Sequence, residues 1–577
     1  MKIGPLTLPA EALANLEDNL LLFFTGTARS AADILRDKDT RSKENAEEML
    51  ANLHFTKQLG QESRGRESQM TKARTASHEG RLSGPLTPLV VLLILPLTTC
   101  IIYALIPARS PLMVADSPSY MYFNPMRPIG YPTFLYIIKH VTGNYDSLRY
   151  IQLILLCLSI YIAAMSLSRW FRRLLLPLVF EAGALGHPGL VRLTDSMLSD
   201  SLSACTFLLF IAAVFHFGRA PSLRRYGIVC LVFVVAITLR PVNVSMVIPA
   251  LLLPLFFRQE PGLSFTRCVV LALFSAVTGW QVTPVVNTLL HRNTATSYVL
   301  AVNLFQRTIF MEHGKEPRPK ECDSEFIEEI TTPVMNYMKG VPREFTGILR
   351  LHYANYVRFN SIVGGLMKLH NLSSEEQTSP ILMRYTLARY RQAPATVLRD
   401  SAVNYWYLIS NYTFISEDAR NRFLAFLQSH PPVLVPVYPH SPHEQLIHRA
   451  AIEEVGANGY DDPYIDASVP WKFDPPRARP LVLILPLDIV QLSAATLSML
   501  LVIMLCPALL GMIKDRELIL LGLISLTVQL NLLICAIGDA PEPRFLFPIW
   551  PGLWLALIWS IFKFLRNRKV PEPSVGT

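Results

Sequence analysis

Residues 86–107 read LTPLVVLLILPLTTCIIYALIP, a run without a single charged side chain. A helix crossing ~30 Å of hydrocarbon needs about 20 consecutive apolar residues, and this run supplies them. Directly after it stand Ala115-Asp116-Ser117-Pro118-Ser119-Tyr120 and Arg127-Pro128-Ile129-Gly130-Tyr131-Pro132. An aspartate followed by tyrosine, arginine and proline, placed where a chain leaves a bilayer, points to a reaction centre at the membrane surface.

The rest of the chain continues the first run. Hydrophobic residues make up 51% of it, charged residues 17%, and the mean hydropathy is +0.32. A soluble globular chain carries about 25% charged residues. The fold class expected is therefore mainly α, a polytopic membrane protein of about ten transmembrane helices. The apolar runs lie near 86–107, 148–168, 172–190, 198–217, 226–239, 242–257, 268–289, 481–510, 517–537 and 545–563. Arg240-Pro241 interrupts the stretch 226–257, since arginine is costly in mid-bilayer and proline removes a helix hydrogen bond. The first long run begins too far along the chain for a secretory signal peptide.

Basic residues set the orientation. Lys72, Arg74 and Arg81 precede the first run; Arg169, Arg172 and Arg173 follow the second; Arg219, Arg224 and Arg225 follow the fourth. Arg258 and Arg267, Lys514 and Arg516, and Arg566, Arg568 and Lys569 continue the series. With ten crossings all of these fall on one side, which the positive-inside rule makes cytoplasmic. The net charge of +9 then needs no nucleic-acid partner to explain it. The opposite side receives the first outer loop 108–147, the turn 190–200, the Arg240-Pro241 corner, the segment 290–480 and the turn 538–544. Asp116, Asp195, Asp200, Arg240, Asp539, Glu542 and Arg544 lie there, enough charge for a polar cavity that takes a lipid headgroup.

The segment 290–480 mixes helical patterns with proline-rich loops and reads as a mixed non-cytoplasmic domain between two sets of helices, 86–289 and 481–565. It holds no glycine-rich phosphate loop and no paired His or Cys at metal-ligand spacing. Cys322 is its only cysteine, so no disulfide framework is expected. Asn371-Leu372-Ser373 and Asn411-Tyr412-Thr413 fit the N-glycosylation pattern, a pattern common by chance.

Asp-Ser-x-x-Tyr and Arg-Pro-x-x-Tyr-Pro in a first outer loop resemble the GT-C membrane glycosyltransferases, in particular the protein-mannosyltransferase and aminoarabinose-transferase type. Thr194-Asp195-Ser196-Met197-Leu198-Ser199-Asp200-Ser201 falls where that superfamily often has an acidic residue. Arg544-Phe545-Leu546-Phe547-Pro548 resembles the Arg-Tyr/Phe-x-x-Pro that opens a late span. The resemblance implies a GT-C-like bundle, a sugar carried on polyprenyl phosphate as donor, and inverting transfer to a glycan, lipid or protein acceptor on the outer face. Together with the kinase-like fragment described below, which points to a bacterium, it implies a bacterial inner membrane with the site on the periplasmic side. It also implies Asp116 as the base or metal-anchoring carboxylate, with Asp195 or Asp200 as a second acid. Arg127, Tyr131, Arg240 and Arg544 would contact substrate, and a divalent cation is the one candidate cofactor.

The residue types suit that chemistry: a carboxylate can accept the proton of an attacking hydroxyl, and guanidinium fits a departing phosphate. Each has a plainer reading. Asp116, Asp195 and Asp200 could cap helices, Arg544 could anchor at the interface, and Tyr120 and Tyr131 could simply pack. A transporter or flippase for lipid-linked saccharides, or a polymerase or ligase using the same donor, are the competing functions. A transporter would show matching halves, and the two halves here differ sharply.

Residues 1–65 are a different object, soluble in composition. Leu16-Glu17-Asp18-Asn19-Leu20-Leu21-Leu22-Phe23-Phe24-Thr25-Gly26 and Glu48-Met49-Leu50-Ala51-Asn52-Leu53-His54 resemble an internal piece of the GHMP sugar kinases, the heptose-phosphate kinases most closely. That family's glycine-rich loop has no counterpart in the chain, so no kinase activity is expected. Residues 66–85 read as a linker and 566–577 as a cytoplasmic tail.

Overall fold

The computed structural model describes residues 87–567 apart from 106–110, 115, 261–262, 292–298, 313–317, 322, 411–413, 456–476, 479–480 and 540–541. The chain divides into Met1–Thr87 and Pro88–Thr577. The kinase-like fragment, the linker, the tail beyond 567, Cys322 and Asn411-Tyr412-Thr413 lie outside the described residues.

Among the described residues the chain is helical, with strand pairing confined to Phe414↔Arg477, Ile415↔Ala478 and the bridge Leu112↔Ser196. The first half comprises α1 Thr87–Leu105, α2 Ser117–Met121, α3 Gly130–Thr142, α4 Leu148–Phe171, α5 Leu175–Leu185, α6 Pro188–Arg192, α7 Asp200–Arg219, α8 Leu223–Leu239, α9 Val247–Phe256 and α10 Phe265–His291. The polar segment follows as α11 Val299–Gln306, α12 Ser324–Lys339, α13 Arg343–Tyr356, α14 Gly364–Leu369, α15 Ser379–Gln392, α16 Pro394–Ile409, α17 Glu417–Ser429 and α18 Pro442–Val455. The chain ends with α19 Leu481–Ile503, α20 Leu505–Leu509, α21 Arg516–Gly538 and α22 Trp550–Asn567.

Seven of the described helical stretches are long and apolar enough to cross a membrane: 87–105, 148–171, 200–219, 265–290, 486–509, 516–538 and 547–567. The expected spans at 172–190, 226–239 and 242–257 are shorter helices, and the cause is local. Gly186-His187-Pro188 ends α5, and His187 caps the next turn by accepting from Leu190 N at 3.3 Å. Arg240-Pro241 ends α8, and a 3-10 turn Pro241–Met246 precedes α9. Proline cannot donate to the preceding turn, so each helix stops there.

Helix α8, and the 3-10 turn together with α9, nonetheless reach both ends of α7. Arg240, after α8, meets Asp200 at the start of α7, while Phe217 near the far end of α7 packs on Tyr226 and Phe257. Gln152, near the start of α4, donates to the carbonyls of Thr194 and Ser196 beyond α6, both at 3.0 Å. The far end collects Trp170 and Phe171 on Phe215, Arg516 on Glu260, and Lys563 on Asp515 at 2.8 Å. One end of the bundle is basic, and the other carries the loop with Asp116.

Helix α7 is the axis of this bundle, buried along nearly its whole length. The periphery is apolar on its outside. Leu89, Leu93, Ile94, Leu97, Ile101 and Leu105 on α1, and Val270, Phe274, Val277 and Leu289 on α10, are all exposed. A helix exposing such a face needs hydrocarbon around it. The described residues of the polar segment, expected to be mixed, are mainly helical apart from that two-residue strand pair, and its core gathers Val302, Phe305, Tyr353, Leu366 and Tyr385.

The segment between α1 and α4 is packed on the bundle at close range. A Cβ on Gly130, which opens α3, would lie 2.7 Å from the carbonyl oxygen of Thr238 in α8. Backbone cannot yield as a flexible side chain does, so Gly130→Ala should cost about 1–3 kcal/mol. Thermal unfolding of the purified protein in detergent reads this as a drop in Tm of several degrees; an unchanged Tm would contradict this contact.

Candidate functional site

The backbone around Asp116 frees its carboxylate for other work. Asp116 precedes α2 in the capping position, yet its side chain makes no capping bond. Ser117 Oγ instead accepts from Val114 N at 3.0 Å and donates to the Met197 carbonyl at 3.2 Å. Asp116 Oδ1 takes Arg127 Nη2 at 2.6 Å and Oδ2 takes Arg544 Nη2 at 3.2 Å. Burial alone would raise this carboxyl; Arg127, then Arg544, outweigh it and hold it well below the usual carboxylate range.

Both arginines are aimed by neighbours. Arg127 donates through Nε to Ser119 Oγ at 2.7 Å and stands 4.8 Å over the Tyr120 ring. Arg544, in the 3-10 turn Pro543–Phe545 just before α22, also pairs with Glu542. Burial raises the Glu542 carboxyl, with Arg544 pulling the other way and Asp539 and Asp116 adding to the rise.

Asp200, the first residue of α7, binds Arg240 Nη1 at 2.5 Å, and the guanidiniums of Arg240 and Arg544 both face the Phe545 ring, at 5.1 and 5.5 Å. Asp539 completes the polar end. It accepts from Gln306 at 2.6 Å and Asn303 at 3.1 Å, and Arg358 Nη1 lies 3.5 Å away while donating to Asn303 Oδ1 and Gln306 Oε1 at 2.8 Å each. Arg358 projects from a π-helical turn, Val357–Val363, in the polar segment. Such turns recur at functional sites.

Several of these groups line one cavity of about 240 Å³, with Arg358, Gln306 and Glu542 bonded to its lining from behind. Asp116, Arg127, Asp200, Arg240, Asp539 and Arg544 form its charged side; Ile237, Leu239, Trp280, Pro284 and Leu300 form an apolar wall from α8, α10 and α11. Trp280 and Leu300 are themselves exposed, so the apolar wall runs out onto the surface of the bundle beside α10. A ligand with an anionic head and an apolar tail matches both halves.

Five of the seven residues singled out in the sequence meet at this cavity: Asp116, Asp200, Arg127, Arg240 and Arg544. Asp195 does not. Its backbone pairs with Leu112, and its carboxylate accepts from Tyr103 OH with Arg149 Nε 4.0 Å away. Tyr131 lies behind the cavity, fully buried and edge-on to Tyr120 at 5.0 Å, its hydroxyl donating to Gln152 Oε1 at 3.3 Å. The sequence reading missed Arg358, Asn303 and Gln306, which carry no local motif, and noted Asp539 and Glu542 without a role.

A divalent cation does not fit this arrangement. Asp116, Asp200, Asp539 and Glu542 each face an arginine, and no group of three His, Cys, Asp or Glu suited to a metal ion occurs among the described residues. The site is built to hold guanidinium donors in place.

The Asp200–Arg240 pair is nearly enclosed, so removing either partner strands the other charge, at a cost of about 3 kcal/mol or more. Asp200→Asn and Arg240→Met should each lower the unfolding temperature, and the double substitution should lower it by less than the sum. Strictly additive losses would show that the two side chains are not coupled. Compared with known proteins, the chain matches no protein family, no curated protein and no solved structure.

Proposed function

We propose that this chain is an inverting glycosyltransferase that moves a sugar from a polyprenyl-phosphate donor to an acceptor at the outer face of a membrane. In this reading the bundle crosses the bilayer ten times, the three shorter helical stretches completing crossings beside α4, α7 and α10. The basic end is cytoplasmic, and the cavity opens on the opposite, periplasmic side of a bacterial inner membrane. The observation that carries the proposal is the cavity itself, with three arginines and two of the expected aspartates against a wall of apolar side chains that leads to the lipid-facing surface.

The donor's isoprenoid tail lies along the apolar wall, and its phosphate comes to Arg544, Arg127 and Arg240. Guanidinium gives phosphate a bidentate fit and stabilises the charge that grows on it as the anomeric bond breaks. The acceptor hydroxyl attacks from the opposite face of the sugar, forms the new bond to the anomeric carbon and passes its proton to Asp116. An aspartate held low by two arginines is a poor base. Once the phosphate draws Arg127 and Arg544 toward itself, Asp116 shares its counter-charges and its carboxyl rises, so donor binding arms the base.

The test is sugar transfer from radiolabelled polyprenyl-phosphate donors in membranes holding wild-type protein or Asp116→Asn at equal level. Transfer by the wild type and its fall by about a hundredfold or more in the variant is the expected outcome. Equal transfer by both would remove Asp116 as the reacting carboxylate, and no consumption of any donor by the wild type would refute the transferase reading.

A further inference from the structure

The loop that carries Asp116 and Arg127 is gripped by one helix of the polar segment, α18. Glu444 Oε1 accepts from Asn124 Nδ2 at 2.5 Å. Asn124 is the knot of the turn that aims Arg127: its Oδ1 takes Met126 N at 2.9 Å and its carbonyl takes Arg127 N at 2.9 Å. Further along α18, Glu454 Oε2 accepts from Tyr122 OH at 3.0 Å, and its other oxygen lies 2.5 Å from Lys139 Nζ. Between the two gripped residues sits Phe123 with φ +52°, a left-handed conformation that a bulky side chain rarely adopts. Strain of this kind persists only where the surroundings over-determine it.

The groups facing Glu444 come from three places. Glu375 and Glu376 belong to the 3-10 turn Glu375–Thr378; His448 lies within α18, and His440, just before it, backs Glu375; Arg127 and Asn124 belong to the loop. Glu375, Glu444, His440, His448 and Asn124 are all buried. His440 bridges Glu375 Oε1 at 2.8 Å and Asn360 Oδ1 at 3.1 Å, and His448 Nε2 is 4.0 Å from Glu444 Oε2. Burial pushes the Glu444 carboxyl up to about 8, with Glu375 adding to the rise and Asn124 and Arg127 opposing it.

We propose that Glu444 is a positioning residue whose protonation state decides whether the strained turn 122–127 stays locked with Arg127 on Asp116. A neutral Glu444 still accepts from Asn124 through its carbonyl oxygen and does not repel Glu375. An ionised Glu444 beside Glu375, shut away from water, is relieved only when the pocket opens. The locked state binds this proton more firmly than an opened one, so the lock weakens as pH rises from the ordinary carboxylate range through about 8 and changes no further above it. The lock itself stands on the geometry alone; its effect on catalysis rests on the transferase reading.

The experiment is hydrogen–deuterium exchange of peptides covering 117–127 in the full-length protein in lipid nanodiscs, from pH 6 to 9.5, corrected for intrinsic rates. In the wild type, protection should fall by about tenfold per pH unit from pH 6 and level off above the bend of the profile, its midpoint, near pH 8. Glu444→Gln should keep the low-pH protection throughout, Glu375→Gln should move the midpoint to lower pH, and Asn124→Ala should exchange fast at every pH. A wild-type profile that does not change with pH, or a Glu444→Gln profile that repeats the wild-type fall, overturns the proposal. Should Glu444→Gln fail to insert, an unmoved midpoint in Glu375→Gln overturns it instead. Donor turnover measured on the same samples separates the two readings: a wild type without turnover refutes the transferase, while the exchange profile still decides the lock.

Discussion

One carboxylate divided between two guanidiniums holds this site together. Asp116 binds Arg127 from its own loop and Arg544 from the entrance to α22, a contact across 428 residues of chain. The partners do not stop there. Arg544 also meets Glu542, whose other oxygen accepts from Asn355 of α13 at 3.2 Å, and Arg358 reaches Asp539 just ahead. Charges removed from water must be met by charges or hydrogen bonds in good geometry, or each costs several kcal/mol. The loop, the start of α22, the end of α21 and the polar segment can therefore be placed only in one mutual register.

That constraint explains the lopsided distribution of charge along the bundle. The middle of the helices is a packed apolar core in which Ala163, Ala164, Ala204 and Ala236 let backbones approach closely. Ionic contacts gather at the two ends, and the two ends differ in kind. At the far end Arg516–Glu260 and Lys563–Asp515 are partly exposed pairs of modest worth. At the near end Asp200–Arg240 is nearly enclosed, and its pair and the Asp116 pairs line a cavity. Arginine rather than lysine recurs there, its planar fork matching the geometry of the carboxylates it meets.

How much of this was legible follows from where each residue sits. Charges at the ends of apolar runs are few and nearly forced together, which is why Asp116, Arg127, Asp200, Arg240 and Arg544 could be chosen from the chain alone. Asp195 and Asp200 could not be told apart that way: a backbone pairing with Leu112 turns the first aside, and the first turn of α7 carries the second inward. The phase of α3, which buries Tyr131, Leu135 and Ile138 together and sets Tyr131 behind the cavity, was not visible in the sequence. Seven of the ten expected spans are single membrane-length helices; the other three are shorter pieces where Pro188 and Pro241 interrupt the apolar runs. Arg358 gave no signal at all, since it depends on a π-helical turn in a segment without motif.

On the transferase reading, Asp116 would have to meet two demands at once. A general base should titrate near the working pH, and this carboxyl is held far below it. The low value comes from Arg127 and Arg544, between which Asp116 is the counter-charge that keeps two guanidiniums from repelling each other. In that reading a donor phosphate would offer the same arginines a second partner and leave the aspartate short of positive charge. The carboxylate would then grow basic as the donor binds. The pairing that organises the site and its loosening on binding would thus be two states of one electrostatic arrangement.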